Sequence, residues 1–207
     1  APMTQNYSFG PAYGYYESRK LYSEEKGVLS ANGTANVVCA SEKITDGYPY
    51  SYKIEASITD ISNQKISVVN NIIVHPAKFY IGVKKPSEAF AKKNDPVDFS
   101  YILVNPNGEY ISSTDLVSNL KYTLTCEEWS VINEQSVNNS LYTRYQKNDV
   151  LVSSGNVKIE KEGKLNICPT KTGLHKLTIS GTDSFGNYAE TSYNFYVTGS
   201  DSYYFQY

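Results

Sequence analysis

Residues 52–64 read YKIEASITDISNQ, and residues 175–187 read HKLTISGTDSFGN. The two stretches align without a gap at an offset of 123 residues (175 − 52), and the alignment continues until Val74 falls on Val197. In each copy apolar and polar residues alternate up to a Thr-Asp pair, and a short polar segment containing Asn follows. Such alternation predicts a half-buried strand, and the polar segment predicts a tight turn. We therefore predict one β-hairpin that the chain uses twice.

The same alternation recurs along the chain and indicates an all-β fold. Turn signals such as Asn105-Pro106-Asn107-Gly108 separate the alternating runs, because Gly and Asn supply the positive φ angles of tight turns. Many short strands separated by turns are typical of a sandwich or a barrel. The runs that we predict as strands are residues 51–60, 65–75, 78–83, 97–104, 121–128, 164–168 and 175–181.

Three further segments carry weaker predictions. Residues 33–39 and 163–168 each begin with a Gly turn and continue as an apolar strand, so they extend the repeat upstream of each hairpin. Residues 114–120 are the best candidate for a short helix, with Thr114 as its N-cap. We interpret residues 130–150 as a hairpin loop followed by a strand.

The composition excludes several classes of protein. The chain has 207 residues, with 19 Lys plus Arg and 21 Asp plus Glu, and its net charge is −2. A nucleic-acid-binding protein would show a basic patch, so we predict no nucleic-acid partner. The apolar stretches are far shorter than the roughly 20 residues that span a bilayer, so we predict no direct membrane insertion. The 20 Tyr residues and the charged fraction of 19% favour an extracytoplasmic β protein.

Three cysteines, Cys39, Cys126 and Cys168, allow at most one internal disulfide. None belongs to a CxxC motif and both histidines are distant in sequence, so we predict no metal site. If a disulfide exists, Cys126 and Cys168 are the pair that we expect, because both fall in the same predicted domain. We favour the alternative of three buried free thiols, since a scaffold built on disulfides carries more cysteines.

No group of residues nominates an active site, and we predict no catalytic residue, no cofactor and no enzyme. His75 precedes Pro76 and is interpreted as a linker residue, while the repeat places His175 at a core or boundary position. No GxSxG elbow nominates the nucleophile of a Ser/His/Asp triad. Asp60 and Asp183 are equivalent by the repeat, so we interpret each as the cap of an Asx turn rather than as half of a catalytic carboxylate pair.

Clusters of tyrosine support an alternative function, because amphipathic rings stack on carbohydrate. Strand packing and domain contacts explain the same residues, since a Tyr ring can be buried while its hydroxyl stays in water. A cell-surface adhesin or carbohydrate-binding β-sandwich module is therefore our second hypothesis. The candidate rings are Tyr13, Tyr15, Tyr16, Tyr22, Tyr203, Tyr204 and Tyr207.

The repeat also predicts a division into domains. We expect a first β-sandwich domain over residues 1–77 and a second over residues 78–201. If both domains had the same length, the first would begin upstream of residue 1, so we expect it to be N-terminally incomplete. Residues 202–207 read SYYFQY, and we expect them to start a linker to a following domain, because a free tail usually lacks such aromatic residues.

The segment after each hairpin carries a family signature. Residues 74–82 read VHPAKFYIG after the first hairpin, and residues 195–199 read FYVTG at the end of the second. Together with the Thr-Asp turns, these stretches resemble the macroglobulin-like domains of bacterial alpha-2-macroglobulins. In that family a strand of this kind leads through Val-His-x-Ala into the first strand of the next domain. The resemblance covers most of the chain.

This resemblance implies tandem immunoglobulin-like, macroglobulin-type antiparallel β-sandwich domains within a large secreted or periplasmic protein. It implies a non-catalytic structural segment of a protease inhibitor, whose scaffold traps a protease after bait cleavage. The implied partners are neighbouring domains of the same long polypeptide, and proteases only through the intact protein. Many members form a thioester from Cys-x-Glu-Gln, but residues 126–129 read CEEW and lack the Gln. No bait region is evident either, so trapping would reside elsewhere.

Overall fold

The computed structural model describes residues 6–13, 20–39, 41–84, 86, 90–112, 114–135 and 141–199, with only the backbone of residues 134, 135, 141 and 142. This part of the chain contains eleven β-strands and no helix, which confirms the predicted all-β class. The strands are β1 (Tyr7–Phe9), β2 (Tyr50–Thr59), β3 (Lys65–Val74), β4 (Tyr80–Lys84), β5 (Phe90–Lys92), β6 (Val97–Val104), β7 (Val117–Gln135), β8 (Leu141–Asn156), β9 (Glu162–Ile167), β10 (Gly173–Asp183) and β11 (Tyr188–Thr198).

Nine of these strands form a sandwich of two sheets. One sheet has the order β1-β4-β6-β9, and the other has the order β5-β11-β10-β7-β8. The strand pairs are antiparallel except for β5, which runs parallel to β11. The architecture is therefore the predicted antiparallel β-sandwich, with one short parallel strand at an edge.

The core lies between the two sheets because each strand directs alternate residues inward. In β9, for example, Leu165 and Ile167 are buried while Lys164 and Asn166 are exposed. The core also receives Phe79, which immediately precedes β4. The largest fully buried side chains are Tyr101, Phe79, Phe99, Ile81, Ile102, Leu103, Leu124, Ile167, Leu177, Ile179, His175 and Val83.

The remaining strands, β2 and β3, form a hairpin with the same register as β10 and β11. Tyr52 lies opposite Ile72, and His175 lies opposite Phe195, which is the same pairing 123 residues later. The correspondence holds for all ten residue pairs of each hairpin. The hairpin repeat predicted from the sequence is therefore confirmed, including its register.

The two hairpins differ in what covers them. Leu177 on β10 is fully buried in the sandwich, whereas its counterpart Ile54 on β2 is 41% exposed. Among the described strands, none pairs with the outer edge of β2 or of β3. We call the side of this hairpin that matches the buried side of β10–β11 the inner face of the first hairpin. Its apolar residues are Ile54, Ala56, Ile58, Ile66, Val68, Ile72 and Val74.

Two of the weaker predictions are wrong. Residues 114–116 form a turn and β7 begins at Val117, because pairing with β10 outweighs a weak helical pattern. Residues 33–39 contain no strand. The second copy of this segment pairs with β6 as β9, whereas no described strand offers residues 33–39 such a partner for their backbone groups.

Strands β7 and β8 extend beyond the rest of their sheet. β7 pairs with β10 only as far as Cys126, whereas its pairing with β8 continues to Gln135 opposite Leu141. Residues 127–135 and 141–149 therefore form a two-stranded projection, which we call the arm. The sequence predicts a hairpin loop followed by a strand over residues 130–150. The loop is predicted too early, because residues 130–135 still belong to β7 and β8 begins at Leu141. The described residues contain no helix that could cross a membrane.

The contrast between the two hairpins predicts different costs for equivalent substitutions. Leu177→Ala removes a fully buried side chain and leaves a cavity, so the free energy of unfolding should fall by about 2–5 kcal/mol. Ile54→Ala at the equivalent position should cost less than roughly 1 kcal/mol in this chain. Urea unfolding followed by circular dichroism measures both values, and equal costs would contradict the difference in cover.

Candidate functional site

The same turn closes both copies of the hairpin. Asp183 Oδ1 accepts hydrogen bonds from the backbone N–H groups of Phe185 and Asn187, both at 2.9 Å. In the first hairpin Asp60 Oδ1 accepts the equivalent pair of bonds, both at 2.8 Å. The predicted role of both aspartates as Asx-turn caps is therefore confirmed.

Each of these turns needs one residue with a positive φ angle. Asn63 has a φ of 62° in the first turn, and Gly186 occupies the equivalent position with a φ of 76°. The residues 105–109 repeat the arrangement, with Asn105 as the cap and Gly108 at a φ of 83°. Asn and Gly are the residues that tolerate this conformation best, which is why the sequence marks the turns so clearly.

The second carboxylate oxygen of Asp183 binds the segment that connects the first hairpin to the sandwich. Asp183 Oδ2 accepts a hydrogen bond from the Lys78 backbone N–H at 3.2 Å and from Asn187 Nδ2 at 3.0 Å. Lys78 Nζ lies 3.9 Å from the centre of the Phe185 ring, which is a cation–π contact. We call residues 75–79 the linker, and the linker with residues 183–187 the junction.

Both sides of Lys78 are also anchored. Ala77 and Phe79 are buried in the sandwich core. His75 Nδ1 lies 2.6 Å from the Tyr80 hydroxyl, and the two rings meet edge to face with their centres 5.7 Å apart. His75 thus holds the linker against the start of β4, which is the structural role predicted for it. The linker is fixed at successive residues rather than at one contact.

The charge of Asp183 stabilises the junction. Burial alone would raise the pKa of this carboxyl, which is only 1% exposed. Hydrogen bonds from Asn187, Lys78 and Phe185 stabilise the carboxylate and outweigh burial, so the pKa lies below its usual value. Asp183 is therefore ionised at neutral pH and accepts four hydrogen bonds at once.

A second set of contacts lies along the edge of β11 that faces away from β10. The Ser192 N–H donates to the Gly10 carbonyl oxygen at 2.9 Å, and the Ala12 N–H donates to Ser192 Oγ at 2.8 Å. The Glu190 N–H donates to the Gly47 carbonyl oxygen at 3.4 Å. We call residues 10–12 and 46–48 the strap, because both segments bind the backbone along the same edge of β11.

Two tyrosines bind Glu190, and one of them, Tyr48, belongs to the strap. The hydroxyls of Tyr48 and Tyr188 donate to the two carboxylate oxygens of Glu190, each at 2.5 Å. Burial and the hydrogen bond to Glu190 raise the pKa of Tyr188 to about 12. Gly47 has a φ of 78°, and a Cβ there would lie 2.9 Å from the Tyr188 ring, so the close approach requires Gly. The sequence does not predict this cluster, because the adjacent Asp46 and Gly47 indicate only a turn.

His175 lies in the core, as the repeat predicts. Its Nδ1 lies 3.1 Å from the Gly173 carbonyl oxygen and donates to it, while the buried Nε2 has no hydrogen-bond partner. Its ring also packs against Phe195. Burial lowers the pKa of His175, because a second N–H would point into the core without an acceptor. The neutral side chain acts as a ring-sized core residue.

The cysteines form no disulfide. All three are free, but only Cys126 is buried, so the expectation of three buried thiols is wrong for Cys39 and Cys168. Cys168 immediately follows β9, where the strand leaves the core. Burial raises the pKa of the Cys126 thiol. Across the described residues, no group of three or more His, Cys, Asp or Glu side chains is placed to hold a metal ion.

Two of the tyrosines proposed to bind carbohydrate, Tyr13 and Tyr22, lie in the described part of the chain. Tyr13 is exposed, whereas Tyr22 packs edge to face on Tyr52 with ring centres 5.7 Å apart. The other candidate rings lie outside the described residues, namely Tyr15, Tyr16, Tyr203, Tyr204 and Tyr207.

A cleft of about 610 Å³ lies beside the junction. Residues 41–44 and 74–78 form two of its sides, and Asn105, Pro106, Leu116 and Asn187 complete it. The site as a whole joins a linker, a buried carboxylate and a strap. At the junction and the strap, hydrogen bonds and packing hold one chain segment against another.

Comparison with known proteins identifies the sandwich. A family model described as bacterial macroglobulin domain 6 matches residues 82–199, which is more than half of the chain. The chain belongs to this bacterial macroglobulin domain family. The match spans β5 to β11, and its first residue lies inside β4. The family resemblance read from the sequence is thereby confirmed.

Two similar proteins agree with this assignment. The chain is 20% identical over 206 residues to an alpha-2-macroglobulin homolog of Nostoc sp., covering 96% of the chain and 10% of that protein. It also superposes on the crystal structure of Salmonella alpha-2-macroglobulin reacted with methylamine with a TM-score of 0.57. That match has 17% identity and covers 93% of the chain and 13% of the Salmonella protein, so it shows the fold. The macroglobulin chain described here thus spans only a small part of both relatives.

The double role of Asp183 predicts a larger effect than that of its counterpart. Asp183→Ala leaves buried N–H groups of the turn and the linker without an acceptor, so we expect a loss of about 2–4 kcal/mol in the free energy of unfolding. Asp60 caps only its own exposed turn, and Asp60→Ala should cost about 1 kcal/mol or less. Urea titrations of both variants at pH 7 measure the difference. Equal losses would show that the bond to Lys78 adds nothing.

Burial of neutral His175 predicts a stability that depends on pH. Because its folded pKa is lowered, the unfolded chain binds more protons below the usual value of about 6.5. This contribution is complete above about pH 6.5 and decreases as the pH falls, by at most about 1.4 kcal/mol per pH unit. We expect His175→Phe to abolish this slope between pH 7.5 and 5.5 in urea unfolding.

The matched control for this prediction is His75→Phe, because His75 lies in the exposed part of the linker region. That variant should keep the slope of the unmodified chain. If the slope survives in His175→Phe but disappears in His75→Phe, the burial of His175 is not the cause of the pH dependence.

Proposed function

We propose that this chain is a non-catalytic structural segment of a bacterial alpha-2-macroglobulin-like protease inhibitor. In this function it holds neighbouring domains of one long polypeptide at a fixed spacing around a trapped protease. Its membership of the macroglobulin domain family supports the proposal. So does the small share of both relatives that it covers, 10% and 13%. We propose that the intact protein acts outside the cytoplasm.

The observation that carries the proposal is the clamp of Asp183 on Lys78. A flexible tether would leave its backbone in water, whereas the Lys78 N–H is bonded to a buried carboxylate and both flanking residues are in the core. The strap adds a second contact to the same hairpin, along the edge of β11. A scaffold that must keep its shape while a protease is enclosed needs connections of this kind.

We also propose that the domain division follows the predicted bounds, with a first domain over residues 1–77, a second over residues 78–201 and a linker from residue 202. The repeated register supports this division, because the first hairpin presents the same face that the second hairpin buries. Asp60 supports it as well: its Oδ1 caps the turn as in Asp183, but among the described residues no linker donates to its second oxygen. A preceding part of the first domain would supply both the missing cover and the missing linker.

The inhibitory chemistry belongs to other segments of the intact protein. Cys126 cannot form a thioester with its neighbours, because Glu127 and Glu128 follow it and no Gln side-chain amide is available. Its side chain is also buried within the sandwich. The contribution of this segment is therefore positional, and the proteases are partners only of the complete polypeptide.

The test is protease trapping by the intact polypeptide. Asp183→Ala should reduce the fraction of a bound protease that is shielded from a large protein inhibitor, while cleavage of the polypeptide itself stays unchanged. Asn105→Ala is the matched control, because Asn105 caps the same kind of turn without contacting the linker. The 207-residue chain alone should not inhibit a protease at equal concentration.

Two results would contradict this function. Stoichiometric inhibition by the isolated chain would place the activity in this segment. Saturable glycan binding by the chain, lost when exposed tyrosines are replaced by Ala, would instead favour the carbohydrate-binding alternative.

A further inference from the structure

The chain contains two Asn-Gly pairs, Asn32-Gly33 and Asn107-Gly108, and both asparagines are exposed. An Asn side chain in such a pair can lose ammonia by reaction with its own backbone. The reaction is possible because Gly carries no side chain that would keep its backbone nitrogen away from the amide carbon of the preceding Asn. Asn is for this reason among the thermolabile residues of proteins.

The backbones of the two turns are equivalent. In the first turn the Ser30 N–H donates to the Thr34 carbonyl oxygen at 2.9 Å, and the Gly33 N–H donates to the Ser30 carbonyl oxygen at 2.8 Å. The corresponding bonds within residues 105–109 measure 2.8 and 2.9 Å. Gly33 has a φ of 74° and Gly108 a φ of 83°. A difference in reactivity between the two pairs therefore comes from the side chains around them.

The side chains around Asn32 supply hydroxyl groups to its amide. Asn32 Oδ1 accepts a hydrogen bond from the Thr34 hydroxyl at 3.0 Å and another from the Ser30 hydroxyl. These bonds hold the amide group against the turn. They also withdraw electron density from the amide carbon, and they are aimed at the oxygen on which negative charge develops when a nucleophile adds to that carbon.

The second turn has the opposite electrostatics. Asn105 and Glu109 occupy the positions of Ser30 and Thr34, so neither position offers a hydroxyl. Asn105 Nδ2 donates to Glu109 Oε2 at 2.8 Å, which keeps the carboxylate beside the turn. A negative charge there opposes a second negative charge on the neighbouring Asn107 amide.

We propose that Asn32 is a site of spontaneous deamidation, favoured over Asn107 by the hydroxyls of Ser30 and Thr34. The Gly33 backbone nitrogen gives up its proton to water and attacks Asn32 Cγ. A C–N bond forms, and the electron pair of the C=O bond moves to Oδ1, where the two hydroxyls stabilise it. The intermediate then expels the side-chain nitrogen, which takes up a proton from water and leaves as ammonia.

The product of this step is a succinimide that contains the Gly33 nitrogen. Water hydrolyses one of its two C–N bonds and leaves either Asp or isoaspartate at position 32, with no oxidation or reduction. Either product adds one negative charge to the net charge of −2. Isoaspartate also adds a methylene group to the backbone, which is incompatible with the hydrogen bonds that now close the turn.

The attack requires the turn to open locally, because the Gly33 N–H is bonded to the Ser30 carbonyl oxygen. Opening of an exposed turn costs little free energy. The Gly108 N–H carries the same restraint, so opening does not decide between the two sites. The modification is independent of the function proposed above, since it uses neither the junction nor the strap.

The hydroxyls also have a structural explanation, from which the proposal can be separated. Ser30 Oγ accepts a hydrogen bond from the Thr34 backbone N–H at 3.2 Å, just as Asn105 Oδ1 accepts one from the Glu109 N–H at 2.9 Å. Ser30 therefore caps its turn. Capping uses the backbone of Thr34 and not its hydroxyl, so a change of the Thr34 side chain tests the chemistry while the cap remains.

Peptide mass spectrometry of the 207-residue chain during incubation at neutral pH tests the proposal. Asn32 should convert to Asp and isoaspartate several times faster than Asn107. Thr34→Val keeps the shape of the side chain without its hydroxyl and should slow conversion of Asn32 roughly three- to tenfold. This effect is smaller than the ~100-fold effect of a donor in an enclosed oxyanion hole, because water reaches the turn. Thr34→Ser keeps the hydroxyl and should keep the rate.

Two further measurements separate the fold from the local sequence. In concentrated urea both Asn-Gly pairs are unfolded, so their rates should become similar. Glu109→Gln removes the negative charge from the second turn and should speed conversion of Asn107. Circular dichroism confirms that each variant is folded in buffer. Equal rates at the two sites in the folded chain, an unchanged rate in Thr34→Val, or a preference for Asn32 that persists in urea would each overturn the proposal.

Discussion

The inner side of the β10–β11 hairpin is covered by the sheet that contains β4, β6 and β9, and the rest of the fold depends on this contact. Two strands cannot bury an apolar face by themselves, so a hairpin in water needs a second layer. Leu177 and Ile179 obtain that layer from Phe79, Phe99 and their neighbours. The first hairpin has the same register and a similar apolar face but no such layer among the described residues. The same sequence pattern is therefore covered by a second sheet in β10–β11, whereas none of the described strands covers it in β2–β3.

The junction connects this packing to function. Asp183 caps the turn of the covered hairpin and at the same time holds the backbone of Lys78, so the segment that follows the first hairpin is attached to the second hairpin. The strap fixes a second point through Gly47, Tyr48 and Glu190. Because these contacts join segments that are more than 100 residues apart, they couple the position of the first hairpin to the integrity of the sandwich. This coupling supports the scaffold function that we propose.

The sequence predicted what is local. Alternation, the Asx caps at Asp60 and Asp183, and the positive φ at Gly186 depend on residues within a few positions of one another. The register of the repeat follows from the same spacing. The sequence did not predict the bond from Lys78 to Asp183 or the cluster around Glu190, because a strand pattern does not say which distant segment will contact the strand. The predicted strand at residues 33–39 is wrong for a related reason, since a strand exists only where a partner is available.

Amide hydrogen exchange tests most directly whether the first hairpin is covered. The two samples are the chain alone and the intact polypeptide of which we propose it to be a segment. In the chain alone, amides of β10 and β11 should be protected by the sandwich, whereas those of β2 and β3 should exchange rapidly through local opening. In the intact polypeptide both hairpins should be protected, because a preceding part of the first domain then covers the inner face. Equal protection of both hairpins in the isolated chain, or rapid exchange of β2 and β3 in the intact polypeptide, would contradict this account.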